Sequence, residues 1–110
     1  MNLLDRHCTH GAAALDPAAI RARLAAVPAW QAIDGTIACE YAFPDYRATI
    51  AFVNAVAGMA EEQDHHPDMT VGYRRCLLAY TTHSAGGALT DNDFICAAKA
   101  DALYAQQGGA

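Results

Sequence analysis

Residues Trp30 to Phe43 read WQAIDGTIACEYAF, and this stretch decides how the chain folds. Asp34-Gly35 is a dipeptide that accepts the positive φ angles of a two-residue hairpin turn. Beyond it, Ile37, Cys39, Tyr41 and Phe43 alternate with Ala38, Glu40 and Ala42, the period of a strand with one face buried. Before it, Trp30 to Ile33 is a short apolar run that supplies the partner strand. Further toward the N-terminus, Asp16-Pro17 is an N-cap followed by proline at the first helical position. Ile20, Leu24 and Val27 then recur at helical spacing until Pro28 ends the element. Residues 1–15 show no sustained pattern and read as an arm.

On the other side of the hairpin, Pro44-Asp45 opens the longest helix, which runs to about Glu62. Tyr46, Ile50, Val53, Ala57 and Ala60 form one apolar row, and Thr49, Phe52, Val56 and Met59 widen it. Asp64 to Asp68, with Pro67 inside, breaks the helix. Thr70 to Tyr73 and Cys76 to Thr82 read as two further strands, and Ser84 to Leu89 as a glycine-bearing loop. Thr90 stands three residues before Asp93 in a capping box with Asp in place of the usual Glu. It opens a last helix through Phe94, Ile95, Ala98 and Ala102, and residues 106–110 read as a flexible tail. The order αββαββα predicts an α+β fold over residues 16–105: a four-stranded antiparallel sheet with three helices on one face.

Composition narrows the function classes. At 110 residues and 54% hydrophobic, the chain builds one core of modest size, with no room for a second domain. No run of about 18 apolar residues occurs, which argues against a membrane protein. Seven basic against twelve acidic side chains give a net charge of -5 without a basic stripe, so nucleic acid is a poor partner. Cys8, Cys39, Cys76 and Cys96 form no CxxC pair and read as reduced thiols, and Met1 to His10 lacks the apolar core of a signal peptide. Both features point to the cytoplasm.

Three histidines occupy the ends of predicted elements: His65 and His66 after the long helix, His83 after a strand. Imidazole titrates at about 6.5, so such a trio suits proton transfer near neutral pH. The plain alternative is that these are polar residues terminating a helix and a strand. A three-histidine zinc centre is disfavoured, because adjacent rings converge poorly on one tetrahedral ion and no HExxH spacing exists. His7, Cys8 and His10 fit no common zinc signature either. There is no GxSxG, GxGxxG or GxxxxGK. Read from the residues alone, the chain is a small α+β protein with a histidine acid-base cluster, no metal and no cofactor.

Glu61, His65-His66-Pro67, Tyr73, His83 and Asp93 fall at set spacings across 33 residues, and Thr82 to Thr90 reads THSAGGALT. In these positions the chain resembles the pterin-4a-carbinolamine dehydratases. The Trp30/Asp34-Gly35 hairpin and the helix around Asn54 agree, so the resemblance covers about Ile20 to Leu103. Arg74-Arg75 departs from the more usual turn residues of that family, and Ala88 lengthens the loop after His83. The resemblance implies the same fold and a hydro-lyase. Such an enzyme eliminates water from the 4a-hydroxytetrahydropterin left by aromatic amino acid hydroxylases, giving the quinonoid dihydropterin. It implies that His65 and His83 carry the acid-base steps and that His66 positions the pterin. Asp64, Thr81, Thr82 and Ser84 are then expected to contact the pterin ring through backbone or hydroxyl groups. Glu61, one helical turn before His65, is counted with these substrate-binding residues and is expected to orient that ring or raise its basicity, and Asp93 only to cap the last helix.

A rival class is a protein-interaction module that keeps the fold, since animal members of the family also act as dimerisation cofactors of a transcription factor. Association into a homodimer or homotetramer is expected on either reading. The strand Cys76 to Thr82 has neither charge nor proline within it, which reads as an unprotected sheet edge open to a second copy. The wide apolar face of the long helix offers a second patch.

Overall fold

Asp34 and Gly35 adopt φ values of +49° and +78°, so the hairpin turn is the mirror-image kind that matches the twist of its strands. In the computed structural model, which describes residues 2–107, this turn joins β1 (Gln31–Ile33) to β2 (Thr36–Ala42). The pairing is antiparallel with Gln31 opposite Ala38. β3 (Asp68–Val71) and β4 (Arg75–Tyr80) form the second hairpin, and the sheet order is β1-β2-β4-β3, antiparallel throughout. The helices are α1 (Pro17–Leu24), α2 (Tyr46–Gln63) and α3 (Asp91–Gln106). The α+β architecture is therefore the one that the pattern predicts, with the helical layer on one face of the sheet.

β4 lies in the middle of the sheet between β2 and β3, not at its edge. The expectation that residues 76–82 form an open edge is thus overturned. The physical reason runs opposite to the inference: a strand without charge or proline is what a central position requires, whereas edges are short or blunted. The two edges are the three-residue β1 and β3, which begins at Asp68 directly after Pro67. The register across β2 and β4 places Ile37 beside Tyr80, Cys39 beside Leu78 and Tyr41 beside Cys76. All six side chains are buried on the helix-covered face.

Periodicity located the helices better than their faces. On α2 the buried residues are Thr49, Phe52, Val56, Ala60 and Gln63. Of the row expected to lead, Tyr46 and Ala57 are exposed and Ile50 and Val53 are half-buried. Phe52 explains the choice, packing 4.7 Å from the Tyr41 ring and 5.3 Å from Phe43 between centroids. α1 ends at Leu24, well before Pro28. Proline disfavours the α conformation at the residue before it, and the chain continues in tight turns, with Ala26 N–H to Arg23 O and Val27 N–H to Leu24 O.

Two polar features bind the layers together. Asp101 on α3 accepts hydrogen bonds from Trp30 Nε1 at 3.0 Å and from the Tyr41 hydroxyl at 2.5 Å. The segment read as an arm is docked on α3: Leu3 is buried, Lys99 donates to Leu4 O, and Arg6 and Arg23 both pair with Asp91.

The hairpin turn also supports the loop after β4. Thr81 donates its hydroxyl to Gly35 O at 2.6 Å, and a Cβ at Gly35 would lie 2.3 Å from the Gly87 carbonyl oxygen. Gly87 has the same φ, +78°, but open space around it. Gly87→Ala is expected to cost about 1 kcal/mol, the left-handed backbone term alone. Gly35→Ala is expected to cost at least about 2–3 kcal/mol, because backbone must also move. Urea unfolding of the two variants checks this, and equal midpoints would remove the clash from the account.

Candidate active site

The C-terminus of α2 sets the site. Asp64 takes a left-handed conformation, φ +51°, and His65 N–H returns to Ala60 O at 3.1 Å, closing the helix and turning the chain back over α3. His65 thereby meets the first turn of α3, and Pro67 holds His66 extended so that it diverges from its neighbour. The His65 ring is 12% exposed, stacks on buried Tyr80 at 5.4 Å and 14°, and hydrogen-bonds through Nε2 to Asp93 Oδ1 at 2.7 Å. A carboxylate can only accept, so Nε2 carries the hydrogen and Nδ1 is the atom left for chemistry.

Asp93 itself is fully buried at the third position of α3. Its Oδ2 accepts the Thr90 N–H at 3.0 Å, completing the capping box, and the Thr82 hydroxyl at 2.8 Å. Thr82 also lies 2.8 Å from the Thr90 hydroxyl. The residue assigned only a capping role is therefore also the partner of His65. Glu61, expected to orient His65, instead sits 2.7 Å from His66 Nε2 in a solvent-facing pair. The reason is helix geometry: the chain reverses at Asp64, so the side chain one turn back meets His66, which continues outward, and not His65, which folds inward.

His83 and Ser84 are exposed on a short 3-10 turn, His83–Ala85, that follows Thr82. Together with Asp64, His65, His66, Thr81 and Thr82 they line one cleft of about 290 Å³, near the lower end of small-molecule sites, roughly 300–1,000 Å³. Glu61 stands outside that lining, behind His66. The hydroxyls of Thr81 and Thr82 are turned into the fold, toward Gly35 O and Asp93, rather than into the cleft. A larger groove of about 750 Å³ beside Tyr46 and Tyr73 contains neither histidine nor cysteine. No three His, Cys, Asp or Glu side chains among the described residues are arranged around a common metal position.

One wall of the cleft had no signal in the sequence. Thr9, His10 and Gly11 line it. They are held there by two buried amides, which periodicity treats as surface. Gln63 Oε1 accepts the Cys8 N–H at 2.8 Å, and Asn92 exchanges two hydrogen bonds with the Thr9 backbone, 3.0 and 2.9 Å.

Comparison with known proteins follows the same lines. A family model described as pterin 4 alpha carbinolamine dehydratase matches residues 13–103. A protein of Chromobacterium violaceum named "Putative pterin-4-alpha-carbinolamine dehydratase" is 46% identical over 106 residues, 94% of this chain and 97% of that one. Among solved structures, a transcriptional coactivator/pterin dehydratase from Brucella melitensis superposes with a TM-score of 0.78 at 29% identity. It covers 82% of this chain and 97% of its own. A pterin dehydratase-like protein described as a RuBisCO assembly factor of the alpha-carboxysome reaches 0.58 at 27% identity, over 67% of this chain and 84% of its own.

Burial of His65 disfavours its charged form, but the hydrogen bond and the charge of Asp93 outweigh it, with Cys8 and Asp64 adding, so its pKa is raised above 6.5. The folded state then holds the proton more tightly than the unfolded chain. The pair's contribution to stability is complete below about pH 6.5 and fades as pH rises through the raised midpoint. NMR titration of the ring should give a midpoint above 6.5. In Asp93→Asn the burial stays while the charge goes, and the midpoint should fall below 6.5. An unchanged midpoint in that variant would show that Asp93 is not what holds the proton.

Proposed function

The chain belongs to the pterin-4-alpha-carbinolamine dehydratase family, and from that premise we propose that it is a hydro-lyase acting on a 4a-hydroxytetrahydropterin. It eliminates water to give the quinonoid dihydropterin, in service of an aromatic amino acid hydroxylase. The observation that carries this reading is the buried Asp93–His65 pair at the floor of a cleft flanked by His66 and His83. Elimination needs one group to protonate the departing 4a-oxygen and another to take the proton from N5. Imidazoles do both near neutral pH.

The environments of the rings divide the work. Asp93 favours the imidazolium form of His65, so His65 Nδ1–H is the donor suited to the departing hydroxyl. His83, exposed in the lining of the same cleft, takes the N5 proton. His66, steadied by Glu61, lies against the heterocycle and positions it. Backbone groups around Asp64, Thr81 and Ser84 face the polar edge of the ring, since the Thr81 and Thr82 hydroxyls are already engaged. The reaction so described uses the chain's own side chains for every proton. On this reading the protein works as a homo-oligomer; with β4 central, β1 and β3 are the sheet's edges.

Dehydration of 4a-hydroxytetrahydropterin, followed with and without the protein, is the direct test. Absence of acceleration would leave the fold to a binding role of the kind that the interaction-module reading describes. His83→Ala is expected to lower kcat by about 10²-fold with unfolding unchanged. His65→Ala is expected to lose as much in rate and also about 1–3 kcal/mol in stability, because it strips a partner from a buried carboxylate. His66→Ala should raise KM more than it lowers kcat. A collapse of kcat at unchanged KM in His66→Ala would make that ring a proton carrier.

A further inference from the structure

Cys8 and Cys96 are 88 residues apart in sequence, yet their sulfurs lie 3.5 Å from each other. The approach is built rather than incidental. The backbone is fixed at Cys8 by its N–H bond to Gln63, and one residue later by the paired bonds between Thr9 and Asn92. The Cys8 thiol is half-buried, whereas Cys96 is fully enclosed on the inner face of α3. Cys39 and Cys76 are buried on β2 and β4, on the helix-covered face of the sheet. One reachable sulfur beside one enclosed sulfur is the arrangement of a reacting thiol and its resolving partner.

We propose that Cys8 and Cys96 form a redox modification site that accepts oxidising equivalents from a hydroperoxide and closes to a disulfide. The Cys8 thiolate attacks the O–O bond, forming the S–O bond of a sulfenic acid and releasing one alcohol or water molecule. Cys96 then attacks the Cys8 sulfur, its thiol proton leaves with the departing hydroxide as water, and the S–S bond forms. Two thiols are oxidised and one peroxide bond is reduced. The sulfurs need to move together by about 1.5 Å to reach a bond of about 2.05 Å.

The electrostatics of the four cysteines agree with this order, since its hydrogen bond to Cys8 and its burial raise Cys96 and leave Cys8 to react first. A hydrogen bond from Cys96 lowers the pKa of Cys8 against the effect of its partial burial, and the charge of His65 assists. Burial pushes Cys39 up to about 11 and raises Cys76, so both stay as inert thiols. Closure of the disulfide would fasten the arm covalently just before Thr9, His10 and Gly11, the residues that wall the cleft. The site is assigned on thiol geometry alone and is independent of the reaction in the cleft.

The test treats the folded chain with a small excess of hydrogen peroxide, blocks free thiols with an alkylating reagent under denaturing conditions, and maps the peptides without reduction. The expected result is a loss of two of the four alkylatable thiols and one cross-linked peptide joining Cys8 to Cys96, reversed by dithiothreitol. In Cys96→Ala, Cys8 should stop as a sulfenic acid that dimedone traps. Cys8→Ser alters only the docked arm, and its three remaining thiols should survive the same treatment even if the Cys96 variant does not fold. Four intact thiols in the treated wild-type chain would overturn the proposal. So would a cross-link to Cys39 or Cys76, or thiol loss in Cys8→Ser at the wild-type rate.

Discussion

The carboxylate of Asp93 is the constraint on which the rest of the structure depends. A carboxylate without solvent exposure is tolerated only when its lone pairs are met, and here a ring N–H, a hydroxyl and a backbone N–H meet them. Those donors come from the end of α2, the end of β4 and the start of α3. Satisfying one buried charge therefore fixes where three elements meet. That junction also underlies the cleft, so the requirement that stabilises the fold orients the His65 ring that lines it.

The other lip of the cleft depends on a second, smaller chain of contacts. The Asp34-Gly35 turn receives the Thr81 hydroxyl and lies directly beneath the Gly87 carbonyl, so the loop bearing His83 rests on the first hairpin. Leu15 N–H adds a bond to Leu89 O on the same loop. The N-terminal segment completes the enclosure through Gln63 and Asn92, whose amides supply both a donor and an acceptor and so can grip backbone in either sense. Three stretches distant in sequence thus converge on the cleft, and each brings a histidine to its lining: His10, the His65-His66 pair and His83.

Much of this was legible in the residues. Local chemistry dictated the hairpin turn, the capping residues Asp16, Asp45 and Thr90, and the alternation that buries Ile37, Cys39 and Tyr41. These features act within a few residues, and a single sequence carries their whole cause. The expectation for Glu61 failed because spacing on a helix says which side chains are neighbours only while the helix continues. The left-handed Asp64 ends it, and His65 and His66 leave in different directions. The expectation that β4 is an edge failed for a related reason. Alternation reports that a strand is half-buried, not which strands flank it, and its neighbours β2 and β3 are chosen by the packing of the whole sheet.

The sequence by itself determined the elements, their order, the α+β class and three histidines at element ends, because propensity, capping and hydrophobic period are short-range properties. Only the tertiary structure decided that Asp93 is the partner of His65, that Glu61 serves His66, and that the arm walls the cleft with Cys8 against Cys96. The Glu61–His66 pair is solvent-facing and five residues apart, and it follows from the left-handed turn at Asp64 that sends His66 outward. The others join groups that no local rule connects: polar atoms enclosed between layers must be met there, and which partner is nearest is a property of the assembled layers.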